Sequence, residues 1–239
     1  MDGMGRLAVD VRDTNADADA DADQSPPFSE PLLSTTFPFT SQRVYVSIAG
    51  LIGAGKTTLA KSIAEHMDLP VHYEPVADNA YLEDFYKDMS AHGFRLQVYL
   101  LTRRFQQQQE IVWSGKGGVQ DRTIYEDAIF AKMLHDDGLM NERDYHTYHR
   151  LFETMHNLMP RPNVIVYLDV SPEESLRRIR ARSRKCEAGI TIEYLTKLHA
   201  GYTSFIKDIG RHTPVIRLDW NSFAKTSDVV AQLTGALKG

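Results

Sequence analysis

Residues 50–57 read Gly-Leu-Ile-Gly-Ala-Gly-Lys-Thr, so three glycines, a lysine and a hydroxyl stand between a β-branched run and an amphipathic stretch. This pattern, G-x-x-x-x-G-K-[ST], is specific when a buried strand precedes it and a helix follows. Both flanks are present. Residues 44–49 are apolar and β-branched, and Leu59, Ile63 and Met67 recur at helical spacing. Gly50, Gly53 and Gly55 let the backbone turn tightly enough to aim N–H groups at phosphate oxygens, and the helix N-terminus adds its positive end. Ala54, Lys56, Thr57 and Thr58 complete the expected cradle. Lys56 would meet the β- and γ-phosphates, and the Thr57 hydroxyl would bind Mg²⁺. ATP and Mg²⁺ are thus expected, but not yet a reaction. The sequence contains no Asn-Lys-x-Asp segment to read guanine, which argues against a GTPase switch.

The rest of the chain alternates strands and helices. Residues 71–73, 118–121, 163–168 and 215–218 read as short strands, apolar on both faces. Residues 94–113 carry Leu96, Leu100, Leu101, Phe105 and Ile111 along a long predicted helix. Asn141, with Asp144 three residues on, caps a helix running to about Met159. Ser171, Pro172 and Glu174 supply an N-cap, a first-turn proline and a capping-box acid. Thr191 opens another helix, and residues 226–237 close the chain with one more. Such alternation predicts an α/β fold with a mostly parallel sheet between helices, one domain over residues 43–239.

Residues 1–42 differ. They hold eight acidic side chains against two basic ones, an alternating Ala-Asp run at 16–23, and Pro26, Pro27, Pro31 and Pro38. No apolar face could bury there, so a disordered acidic, Pro-rich tail is expected. Since the whole chain carries −5, the body is near neutral. That argues against broad nucleic-acid binding, which needs a basic face. No apolar run reaches membrane-spanning length, so no membrane partner is expected. A single cysteine, Cys186, suits a reducing compartment, and a cytoplasmic location is the expectation.

Three further clusters bear chemistry. Glu74 ends the second strand, where a carboxylate faces the ligand crevice of a parallel sheet and can accept a proton from an attacking hydroxyl. Asp121 and Arg122 end the third strand. Asp121 could hold Mg²⁺ directly or through water, and Arg122 could orient Glu74. Arg177, Arg178, Arg180, Arg182, Arg184 and Lys185 crowd one segment, as a flexible lid facing a triphosphate would, and Arg178 and Arg182 share a helix face. His135, His146, His149 and His156 fall on predicted helices without metal-ligand regularity. Trp220 and Phe223, after the last strand, are candidates to flank the ATP base.

In this order, the glycine-rich loop, Tyr73-Glu74-Pro75-Val76, the run Asp121-Arg122-Thr123-Ile124-Tyr125-Glu126-Asp127, and the Arg-rich segment with Glu187 and Glu193-Tyr194-Leu195 resemble the deoxyribonucleoside kinase family. The segment from Tyr81 to Tyr86 is most similar to its bacterial-type, purine-preferring branch. The resemblance spans residues 43–237. It implies a P-loop kinase fold with a five-stranded parallel sheet flanked by helices, an Arg-rich lid, a homodimer, and transfer of the ATP γ-phosphate to a deoxynucleoside 5′-hydroxyl. It assigns Glu74 as base with Arg122 beside it, Tyr86 and Glu187 to the sugar 3′-hydroxyl, and Gln97 to the base edge. Arg104 and Asp127 would line the base pocket, and Arg178, Arg182 and Arg184 would form the lid. Asp121, Thr123 and Cys186 depart from commoner family residues without removing a required group.

A charged pair at the pocket end disfavours thymine and orders the substrates as deoxyadenosine, then deoxyguanosine or deoxycytidine. Two alternatives compete. A nucleoside monophosphate kinase, such as a thymidylate kinase, would bring a phosphate that Glu74 repels. A non-catalytic kinase-like subunit would have eroded Lys56, Glu74, Arg122 or lid arginines, and all are intact.

Overall fold

The structure is a computed structural model that describes residues 44–74 and 79–238. The expected tail and Pro75-Val76 lie outside the described residues. In chain order the elements are β1 (Tyr45–Gly50), α1 (Lys56–Met67), β2 (Val71–His72), α2 (Leu82–Lys87), α3 (Met89–Ser114), β3 (Gly118–Asp121), α4 (Ile124–Asp136), α5 (Glu142–Asn157), β4 (Val164–Asp169), α6 (Pro172–Arg182), α7 (Ile192–Ile209), β5 (Val215–Asp219) and α8 (Thr226–Ala236). A single 3₁₀ turn, Lys185–Glu187, follows α6.

The five strands form one parallel sheet in the order β2-β3-β1-β4-β5. Its central strands are buried on both faces, which is why they read as continuous apolar runs. Val46, Ile48, Val164, Val166 and Leu168 pack with Leu59 and Ile63 of α1 and Val229 and Leu233 of α8. Ile63 is fully buried, and its truncation to Ala would cost about 2–5 kcal/mol. Register aligns Ile48 with Asp121 and Gly50 with Leu168, so the C-terminal strand ends share one edge. In such sheets that edge carries the ligand crevice.

Several local expectations need correction. The helix predicted over 94–113 begins earlier, at Met89, because Asp88 accepts the Ala91 N–H at 2.9 Å and caps it. The six-residue α2 gives no periodic signal of its own and is an addition. Ser171 does cap α6, accepting the Glu174 N–H at 3.2 Å. The reciprocal capping-box bond is not made: Ser171 N–H donates to Asn221 Oδ1 at 3.0 Å, while the Glu174 carboxylate takes Arg177 and Arg178. No helix among the described residues is long and apolar enough to cross a membrane.

Candidate active site

The loop between β1 and α1 is an open anion cradle. No side chain caps α1, and no acid stands in its first turn, so its leading N–H groups stay available. Gly53 has φ 78°, and a Cβ there would lie 2.9 Å from Ile179 Cγ1. Only glycine combines that backbone with such close packing. Lys56 is buried and donates to the Leu51 carbonyl at 2.7 Å. Burial, then Arg122, lowers its ammonium to about pH 8, partly offset by Asp121 and Glu74. The Thr57 hydroxyl donates to Asp121 Oδ2, while Asp121 Oδ1 is buried with no hydrogen-bond partner among the described residues.

A cavity of about 700 Å³ opens beside this loop. Its wall gathers Gly53, Gly55, Lys56, Thr57 and Thr58 from the cradle, Glu74 after β2, Tyr86 of α2, Gln97 and Arg104 of α3, Arg122 after β3, and Arg178, Arg182, Arg184 and Glu187 from the Arg-rich segment. Residues spread over more than 130 positions thus meet in one space. Four expected residues stand behind the wall instead. Asp121 and Asp127 are fully buried, and Ala54 is packed under the loop. Gly50 closes β1, where a Cβ would come within 2.8 Å of the Leu168 carbonyl.

Glu74 is the electrostatic centre. Its Oε1 lies 2.6 Å from Arg104 Nη2 and 3.2 Å from Arg122 Nε. Burial alone would raise its carboxyl. Arg122, then Arg104 and Lys56, outweigh this and hold it at about 2. Arg104, 2% exposed, also pairs through Nη1 with Asp127. Asp127 therefore reaches the pocket only through Arg104, which corrects the expectation that it lines the pocket itself. Gln97 Oε1 is buried in the wall without a hydrogen-bond partner among the described residues, as a group awaiting a base edge would be. Gln107 Nε2 donates to the Tyr73 carbonyl at 2.7 Å and braces the backbone from which Glu74 projects.

Arg122 carries φ 69°, a left-handed backbone that costs a non-glycine residue about 1–2 kcal/mol. Its guanidinium is fixed on several sides: Nη1 donates to the Tyr202 hydroxyl at 2.9 Å, and the plane lies 5.1 Å from the Phe130 ring. Tyr202 donates in turn to Glu126 Oε2 at 2.6 Å. Glu126 and Tyr202 are functional-site neighbours that the sequence reading leaves out. Glu126 sits inside a recognised run, but nothing local announces that it turns inward.

The Arg-rich segment is less free than a flexible lid. Ser175 Oγ donates to the Ile52 carbonyl at 2.6 Å. Arg178 donates to Ala54 O at 3.2 Å, Trp220 O at 2.7 Å and Asn221 O at 3.0 Å, and stacks 4.2 Å over Phe223. The root of α6 is thereby bolted to the phosphate loop. Arg182 and Arg184 instead reach Glu187 Oε2 and Oε1, at 2.5 and 3.3 Å. Trp220 is buried in the main core, so of the two aromatics only Phe223, 67% exposed, is open to a ligand.

Comparison with known proteins places this geometry. The family model described as deoxynucleoside kinase matches residues 46–237. The chain is 52% identical over 198 residues to a deoxyadenosine kinase of Dictyostelium discoideum, covering 81% of each chain. It is 38% identical over 200 residues to a deoxyadenosine/deoxycytidine kinase of Bacillus subtilis, covering 79% of this chain and 92% of that one. A solved structure of deoxyadenosine kinase from M. mycoides with bound dATP superposes with a TM-score of 0.72 at 29% identity, covering 82% of this chain and all of that one.

Proposed function

Since the chain belongs to the deoxynucleoside kinase family, we propose that it moves the γ-phosphate of ATP to the 5′-hydroxyl of a deoxynucleoside, deoxyadenosine first, then deoxyguanosine or deoxycytidine. One observation carries the reading: Glu74 and Lys56 open onto the same cavity, a carboxylate facing a phosphate cradle. The 5′-hydroxyl directs its proton to Glu74. A carboxyl held at about 2 is ionised at any working pH but is a weak acceptor. That suits a loose transition state, in which the proton leaves late and orientation matters most. Lys56 and the arginines offset charge on the moving phosphoryl group. Tyr86 and Glu187 take the sugar's 3′-hydroxyl. Gln97 and Arg104 take the base edge, and the relatives' purine and cytosine substrates agree with a hydrogen-bonded rather than methyl-lined pocket.

The oxygen donors of Thr57 and Asp121 fit Mg²⁺, which prefers such hard ligands, and the unpaired Asp121 Oδ1 is free to take it directly or through water. Thr57 and Asp121 would hold the ion, which would supply positive charge against the phosphates. A monophosphate acceptor is not favoured, because its phosphate would meet the Glu74 carboxylate. We assign the cytoplasm to the reaction on the strength of the lone Cys186 thiol. We assign a second copy of the chain to the groove along α3 lined by Tyr81, Phe94, Val98 and Tyr99 together with Arg95, Thr102, Arg103 and Gln106.

The test is a panel of the four natural deoxynucleosides with ATP and Mg²⁺. Monophosphate is expected with the highest kcat/KM for deoxyadenosine and the lowest for thymidine. No product from any acceptor would reject the activity, and a thymidine maximum would overturn the reading of the pocket.

A further inference from the structure

We propose that Glu126 and Tyr202, which line neither substrate compartment, form a clamp that positions Arg122, and through it Glu74, while pinning the first glycine of the phosphate loop. Glu126 is fully buried in the first turn of α4. Its Oε2 accepts the Tyr202 hydroxyl at 2.6 Å and the Gly50 N–H at 3.4 Å, and lies 3.9 Å from Arg122 Nη1. Its Oε1 accepts the Thr123 N–H at 3.4 Å. Every group around this side chain donates, so a carboxylate fits where an amide would turn a donor against donors.

Tyr202 is the relay. Its oxygen accepts from Arg122 at 2.9 Å while its proton goes to Glu126. Its ring stacks on Tyr167 of β4, with centroids 5.9 Å apart and planes at 18°, which fixes where the hydroxyl stands. Arg122 sits on a left-handed backbone that needs such outside support. One oxygen of Glu126 thus touches both the loop that grips the donor, at Gly50, and the arm that steers the acceptor's catalyst. The clamp sets the register between the two substrates, so its loss acts on turnover more than on binding.

The inference rests on the reading of Glu74 as the carboxylate that meets the acceptor hydroxyl. Its test uses the full chain with ATP, Mg²⁺ and deoxyadenosine. Tyr202→Phe keeps the stacked ring and deletes only the hydroxyl. Its kcat is expected to fall about tenfold or more, with both KM values within about threefold of wild type. Glu126→Gln is expected to lose turnover similarly, and the double variant to fall no further than the worse single one, because both act through one guanidinium. Should Glu126→Gln fail to fold, Tyr202→Phe decides alone. A Tyr202→Phe kcat within about twofold of wild type, or a loss appearing mainly in KM, overturns the clamp. Glu74→Gln is assayed alongside. If it keeps turnover, the reading of Glu74 fails and the clamp with it. If it loses turnover while Tyr202→Phe does not, the clamp alone fails.

Discussion

Arg104 donates to Glu74 Oε1 across 2.6 Å, so the arginine expected at the nucleobase is bonded to the carboxylate expected at the sugar. Arg122 reaches the same oxygen from the other side. The charges alternate from Asp127 through Arg104, Glu74 and Arg122 to Glu126, and the two ends of this chain are neighbours in the first turn of α4. A buried array of this kind holds its members in place, and removing one member strands the next.

Glu74→Gln keeps the shape of the side chain and removes its charge. ATP binding should persist, while kcat should fall about 100-fold or more, the span ascribed to a positioned acid–base group. Nucleotide titration and steady-state kinetics on the same preparation separate the two effects, and near wild-type turnover would remove Glu74 from its role.

Asp127→Ala leaves the Arg104 guanidinium buried beside one carboxylate instead of two. Breaking a buried pair by deleting one partner costs about 3–5 kcal/mol. Denaturant unfolding should show a loss of that size, and the double variant Arg104→Met/Asp127→Ala should be more stable than Asp127→Ala alone. If the double variant is the weaker of the two, the pair does not carry the stability assigned to it.

His156 is 6% exposed and stacks on Phe152, with ring centroids 5.7 Å apart. Burial, then Arg161, lowers its imidazole to about 4. The unfolded chain takes up this proton near pH 6.5, while the folded chain resists until about pH 4, so stability drops as pH falls through that window. Melting curves between pH 7 and 5 should therefore slope less steeply in His156→Phe than in wild type. An unchanged slope would remove His156 as a cause.

The groove along α3 predicts association. The chain should sediment at about twice its 27.1 kDa, and Val98→Arg, which adds a third cation beside Arg95 and Arg103 in the groove, should return it to the single-chain mass. A wild-type chain that sediments as a monomer at micromolar concentration would reject the assignment.

Much of the architecture was written in local pattern. The glycine turn, the run before it and the period of Leu59 and Ile63 mark β1 and α1, because strand, turn and helix all agree there. The strands read at 163–168 and 215–218 also stand out and lie within one residue of β4 and β5, whereas Gly118–Asp121, half of it polar, is a weak local signal. The helix α2 does not, since six residues carry less than two full periods. Glu174 looked like a capping-box acid, yet two arginines on the next turn compete for its carboxylate and win. The bond from Arg104 to Glu74 spans 30 positions, and that from Tyr202 to Glu126 spans 76. No periodicity encodes such pairs, because the packing of α3, α4 and α7 creates them.

The anchorage of α6 limits the stroke available to the arginine segment. Ser175, Arg178 and Ile179 all hold fast to the loop beneath them, so a nucleotide cannot be gripped by swinging the whole rod. Compliance begins beyond Ile179 and runs through the left-handed Ser183 to the turn that bears Glu187. Arg182 and Arg184 bond Glu187 rather than the phosphate loop, so a shift of this turn breaks none of the bonds by which Arg178 holds Ala54, Trp220 and Asn221.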